Sequence, residues 1–138
     1  MPQVEVKSHS SSDFKQEIQT GHHHLSADAP KAVGGDESAP DPHELLLGAL
    51  GACTSITLQM YAKKKGWDLQ EVKVKVTEEK VADDANPTQS ISRISREISV
   101  HGNLAQDQVT ALRAIADKCP IHKLLEGPKQ ISTAISQN

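Results

Sequence analysis

From Leu45 to Ile56 almost every position is apolar or small, with no polar face, whereas most of the chain alternates or is polar throughout. The ends of the stretch around this block carry helix signals. Asp41 suits an N-cap, Pro42 the first helical position and Glu44 the third, a capping-box pattern. Lys63, Lys64 and Lys65 followed by Gly66 suit the other end, where the dipole is negative and a left-handed residue stops the helix. The pattern predicts about 24 helical residues, roughly 36 Å long. A helix apolar on all sides is expected to be buried on all sides. Gly48, Ala49, Gly51 and Ala52 would also let another backbone approach it closely.

The remaining elements follow from period. Val72, Val74 and Val76 alternate with Lys73, Lys75 and Thr77, which predicts a strand with one apolar face. Ile91 to Val100 reads as the next strand; Ile91, Ile94 and Ile98 also fit a helical period, but the β-branched residues favour strand. The polar segment Val81 to Ser90 would connect the two. Leu104, Val109, Leu112, Ile115 and Ala116 recur at helical spacing and should stop near Lys118, because Pro120 disfavours helix at the residue before it. A short helix from Pro120 to Glu126 ends at Gly127-Pro128, and Ile131, Thr133 and Ile135 suggest a last edge strand. Upstream, Val4 to Lys7 is a weak strand, followed by the polar run Ser8 to Ser12. Phe14 to Gln19 and His22 to Ala27 then form a hairpin across Thr20-Gly21. The stretch from Ala29 to Pro40 is a loop turning at Gly34-Gly35-Asp36.

This order predicts an α+β fold in one domain, residues 1–138, whose first 13 residues either fray or exchange with a partner. A chain of 138 residues with one Trp, one Tyr and one Phe has little with which to enclose an apolar helix completely. A symmetric homodimer is therefore expected.

Charge and composition narrow the function. A net charge of −3 without a basic stripe, and so few aromatic residues, disfavour nucleic-acid binding. The apolar run is read as too short and too interrupted for a membrane span, and no signal peptide opens the chain, so a cytoplasmic protein without membrane attachment is expected. In that compartment Cys53 and Cys119 are more often free, metal-bound or catalytic than a structural staple.

Cys119-Pro120 places a thiol at the start of the short helix, where unpaired N–H groups favour an anion, with Lys118 and Lys123 nearby; a lowered thiol pKa is expected there. Cys53 lies about 11 residues into its helix, beyond the reach of the dipole, so any activation must come from elsewhere in the fold. For each cysteine an inert, half-buried or buried thiol remains an equal alternative. His22-His23-His24 is a ligand-like run, but on a strand only His22 and His24 share a face, and two ligands without a carboxylate make a weak metal site. His43 and His122 read more naturally as solvated or hydrogen-bonded residues, Gly34-Gly35 matches no phosphate loop, and Ser55 has no nucleophile-elbow setting.

The segment Glu44-Leu-Leu-Leu-Gly-Ala-Leu-Gly-Ala-Cys-Thr54 resembles the central cysteine helix of the OsmC/Ohr family (osmotically inducible protein C and organic hydroperoxide resistance proteins). Ala116-Asp-Lys-Cys-Pro-Ile-His-Lys123 is similar to that family's second-cysteine segment, and the resemblance runs over roughly residues 14 to 136. It implies an intertwined homodimer with antiparallel sheets around the long helices and active sites at the subunit interface. It also implies a thiol peroxidase in which Cys53 attacks an organic hydroperoxide and becomes a sulfenic acid. Cys119 would resolve that acid as a disulfide, and an external dithiol would reduce the pair, with no cofactor or metal. The longer Leu-Gly-Ala-Cys-Thr form, with Tyr61-Ala and Lys65-Gly-Trp behind it, resembles an OsmC-like branch. The family's activating arginine has no counterpart before Arg93, and the position of its helix glutamate is His43, with Glu44 next. Activation of Cys53 would then fall to His22, His24 or Lys31 in place of the arginine, or to a later arginine such as Arg93 or backbone donors. His43 and Glu44 are expected as activating or site-lining residues, although Glu44, nine positions away on the opposite face of the helix, does not reach Cys53. A thiol redox sensor and a non-enzymatic dimer binding small apolar molecules are the alternative functions.

Overall fold

The computed structural model describes residues 1–9 and 13–137; most of the Ser8 to Ser12 run lies outside them. The chain divides into two compact units, Met1–Gly48 and Ala49–Asn138, with the boundary inside one continuous helix. The first unit carries a three-stranded antiparallel sheet, β1 (Glu5–Ser8), β2 (Gln16–Thr20) and β3 (His23–Ala27), in sequential order. A 3₁₀ turn, Lys31–Val33, follows. Asp28 is buried there, and its carboxylate accepts from the Ser38 hydroxyl at 2.6 Å and from the Ser38 and Ala29 amides at 3.1 and 2.7 Å. These bonds, led by that of the Ser38 hydroxyl, hold the Asp28 carboxyl below the usual range against the opposing effect of burial.

The long helix is α1, Pro42–Lys65. Its capping box forms as the sequence predicts: the Glu44 amide donates to Asp41 Oδ1 at 2.8 Å, and the Asp41 amide donates to Glu44 Oε1 at 3.0 Å. At its other end Gly66 takes φ 71°, the left-handed stop. Burial differs from expectation. Only the stripe Leu50, Thr54, Leu58 and Ala62, spaced by four, is buried, whereas Leu46, Ile56 and Met60 are 45%, 54% and 68% exposed. One chain supplies layers for one side of the helix only. By length and composition alone α1 is also long and apolar enough to cross a membrane, contrary to the sequence expectation; of its residues, Leu58 and Tyr61 pack among Leu69, Val72, Ile98 and Val100. Gly51 meets side chains rather than another backbone: a Cβ there would lie 3.3 Å from Val76 Cγ2.

In the second unit β4 (Asp68–Asp83) and β5 (Asn86–Asn103) form one long antiparallel hairpin. The expected polar connection over 81–90 is strand on both sides of a two-residue turn at Asp84-Ala85. The alternation that marks a strand vanishes there because the residues from Asn86 to Arg93 are all exposed, so no face selects apolar side chains. Gly102 sits at φ 148° beside a bulge, where a Cβ would run into the Asp68 carbonyl. Then come α2 (Gln106–Ala116) and α3 (Pro120–Glu126). Leu58, Leu112 and Ala116 form the core of this unit, surrounded by Tyr61, Trp67, Leu69, Val72, Ile98, Val100, Leu104 and Ile115. The expected last strand does not form: 128–137 pair with no sheet, and Ile131 and Ile135 are 90% and 98% exposed. Three alternating residues specify a strand only if a sheet edge receives them. The fold is α+β, with antiparallel sheets and a long central helix.

Candidate active site

The second unit brings the two cysteines together. Cys53 lies on α1, half-buried, and Cys119 caps α3, fully buried; both are free thiols. Cys119 Sγ accepts from the His122 amide at 3.5 Å, and its own amide donates to the Ala116 carbonyl at 3.4 Å. Each thiol shifts the proton affinity of the other, and the Ile121 amide acts on both.

Their environments push them apart. Burial raises the Cys53 thiol, its bond to Cys119 raises it further, and the Ile121 amide and Thr57 oppose only part of this. Burial also works against ionisation of Cys119, but donation from Cys53, the His122 amide, Thr54 and the Ile121 amide together hold its pKa below the ordinary thiol value. The directions are opposite, so the charge of the pair is favoured on Cys119 over Cys53. The lowered value expected for Cys119 from its place in the chain agrees in direction.

These shifts act on stability in opposite senses. The depressed Cys119 pKa adds stability above the unfolded value, and that contribution is lost as pH falls through the folded value. The raised Cys53 pKa adds stability below the unfolded value, and that contribution is lost as pH rises through the folded one. Cys53→Ser should therefore lose less stability than the parent between neutral pH and the alkaline side of the thiol range, measured by urea midpoints. Parallel loss in both proteins would contradict this.

Behind the cysteines stands a residue the sequence analysis missed. Arg96 lies on the inward face of β5, in step with Ile94, Ile98 and Val100, and its side chain is 11% exposed. Its Nη1 donates to Thr54 Oγ1 at 2.9 Å and to the Ala116 carbonyl at 3.0 Å. Its Nη2 donates to Asp117 Oδ1 at 3.1 Å and to His122 Nδ1 at 2.6 Å. A guanidinium only donates, so Nδ1 is the acceptor and His122 Nε2–H donates to Glu126 Oε1 at 2.7 Å. Asp117 also bonds Arg113 at 3.2 Å, and that bond, with the charges of Arg113 and Arg96, keeps its carboxyl below the usual range. A cavity of about 260 Å³ opens beside this network, lined by Leu50, Ser92, Ile94, Arg96, His122, Leu125 and Glu126. The available signal was a charge at an apolar position of a strand, together with the His122/Glu126 and Arg113/Asp117 pairs at helical spacing.

The other candidates belong to the first unit. His43 and Glu44 sit in the first turn of α1, about 14 Å along the axis from Cys53, and Glu44 is engaged in the capping box. His22 stands in the turn before β3 and stacks on His23 at 4.2 Å; His24 is exposed on β3 opposite Gln19, and Lys31 is exposed in the 3₁₀ turn. Among the described residues, no three His, Cys, Asp or Glu side chains converge to hold a metal ion.

The family model for OsmC-like proteins matches residues 34–134, a span that contains both cysteines and Arg96. The chain belongs to the OsmC-like protein family. Solved structures agree in fold. An OsmC-like protein from Mycoplasma pneumoniae superposes with a TM-score of 0.72 at 18% identity, covering 92% of this chain and 88% of that one. An organic hydroperoxide resistance protein OsmC from Legionella pneumophila gives 0.67 at 19% identity, covering 92% and 90%. The organic hydroperoxide resistance protein OhrB of Bacillus subtilis gives 0.62 at 16% identity, covering 92% and 91%. No curated protein matches.

Proposed function

We propose that the protein is a thiol-dependent peroxidase that reduces organic hydroperoxides. The observation that carries the reading is the placement of Cys53 and Cys119, two thiols 66 positions apart in sequence, close enough for each to shift the proton affinity of the other. Cys53 attacks, because it is half-buried where Cys119 is fully enclosed. Cys119 first takes the Cys53 proton, and the Cys53 thiolate then attacks the outer oxygen of the hydroperoxide. The O–O bond breaks, Cys53 becomes a sulfenic acid, and the leaving alkoxide takes the proton from Cys119 and departs as an alcohol. The regenerated Cys119 thiolate displaces hydroxide from Cys53, which leaves as water with a solvent proton, and the disulfide forms. Exchange with an external dithiol restores both thiols. The apolar part of the cavity, Leu50, Ile94 and Leu125, suits an alkyl or aromatic hydroperoxide better than hydrogen peroxide.

The raised proton affinity of Cys53 favours a second reading, a redox sensor that oxidises once without rapid turnover. Dithiol consumption with an organic hydroperoxide separates the two: sustained consumption supports the peroxidase, and a single stoichiometric oxidation supports the sensor. Absence of any Cys53–Cys119 disulfide by mass spectrometry would defeat both and leave ligand binding. A homodimer is part of this proposal, because the exposed Leu46, Ile56 and Met60 face needs a cover that one chain does not supply. Sedimentation at micromolar concentration should give twice the chain mass; a well-folded monomer would remove that part. A reducing, cytoplasmic setting suits two free thiols that work as a couple.

A further inference from the structure

Arg96 donates from its terminal nitrogens to groups around the cysteines rather than to either sulfur. Those nitrogens have four N–H groups, and Thr54, Ala116, Asp117 and His122 take one each. Two of the four partners are also hydrogen-bonding neighbours of Cys119: the Ala116 carbonyl accepts the Cys119 amide at 3.4 Å, and the His122 amide donates to Cys119 Sγ at 3.5 Å. A third, Thr54, lowers the proton affinity of the same sulfur. Thr54 also stands next to Cys53 on α1.

We propose that Arg96 is the positioning residue of the cysteine pair, holding in one clamp the three groups that surround Cys119 and the α1 turn that carries Cys53. The inference rests on the proposed Cys53–Cys119 couple and extends it. Thr54 has one hydroxyl proton, which it donates to the Leu50 carbonyl at 2.7 Å. Turned toward Cys119, that proton would favour the thiolate, in the sense in which Thr54 lowers the Cys119 proton affinity. An N–H donated into Thr54 Oγ1 polarises that proton and makes it a stronger donor to a thiolate. On the other side, the bond to His122 Nδ1 fixes the residue whose amide caps the sulfur. The groups facing the clamp are the Asp117 carboxylate at the end of α2 and the His122 imidazole on α3, backed by the charges of Arg113 and Glu126. Arg96 thereby favours the thiolate of Cys119 through relayed donors, from the middle of a late strand rather than from the N-terminal part of the chain.

The test is a pH titration of thiolate ultraviolet absorbance in the Cys53→Ser protein, with the Cys53→Ser/Cys119→Ser signal subtracted to remove Tyr61. Adding Arg96→Met should raise the Cys119 midpoint by about one pH unit, a tenfold loss of thiolate below both midpoints. Thr54→Val, which removes the relay alone, should raise it by a smaller but measurable amount. An arginine that merely braces the fold would lower the melting temperature and leave the midpoint in place. A folded Arg96→Met variant with an unmoved midpoint overturns the proposal. If that variant does not fold, an unmoved midpoint in Thr54→Val overturns it. The titration needs no hydroperoxide, so a failure of peroxidase turnover leaves this result independent.

Discussion

Replacing Cys53 with serine is expected to reduce hydroperoxide-dependent consumption of a dithiol by about a thousandfold or more, because a hydroxyl there is neither ionised nor a comparable nucleophile near neutral pH. Cys119→Ser should behave differently. It leaves an attacking thiol but removes both the proton acceptor and the resolving sulfur. The first oxidation should slow, and the sulfenic acid on Cys53 should persist or proceed to the sulfinic acid under excess hydroperoxide. Mass spectrometry of the two variants distinguishes these fates. Equal residual turnover in both would mean that the cysteines do not hold separate roles. Retention of more than a tenth of parental turnover in Cys53→Ser would remove Cys53 from the chemistry.

Leu58→Ala is expected to destabilise the protein by about 2–5 kcal/mol, the range for truncating a fully enclosed leucine. Leu58 is 1% exposed and packs on Leu112 and Ala116, so it joins α1 to α2 at the centre of the second unit. The corresponding fall in melting temperature is roughly 10 °C for a chain of this size. Met60, two positions on and 68% exposed, serves as the comparison; Met60→Ala in the same chain should cost far less unless a partner covers it. Concentration-dependent stability in the Met60 variant would add support for the dimer. A Leu58→Ala loss below about 1 kcal/mol would show that the core closes around the gap.

Some features were local, and the sequence carried them. The capping box at Asp41 and Glu44, the stop at Gly66, the Val72–Val76 alternation and the Cys119-Pro120 helix start each depend on neighbours within a few residues. Local rules therefore recovered α1, α3 and part of β4. The two cysteine segments carried the family. The tip of the β4–β5 hairpin was not legible, because Asn86 to Arg93 are all exposed and no burial imposes a period on them. The final strand failed for the converse reason: Ile131, Thr133 and Ile135 have the period but pair with no strand.

The site divides in the same way. Residue types and spacing singled out Cys53 and Cys119, but only the tertiary structure decided what surrounds them. His22, His24, Lys31, His43 and Glu44 were candidates because they stood where an N-terminal activator was expected. Within the second unit, the groups that act on the proton affinity of the pair are Thr54, Thr57, Ile121 and His122, and Arg96 donates to two of them, Thr54 and His122. A thiol pKa depends on donors within a few ångströms, and those donors are gathered from α1, β5 and α3, segments tens of residues apart. Sequence alone determined the helices, the family and the two thiols, because each is encoded by local pattern. Which thiol holds the charge, and which arginine stands behind it, was decided by packing, because hydrogen bonds across 42 and 26 positions leave no period in the chain.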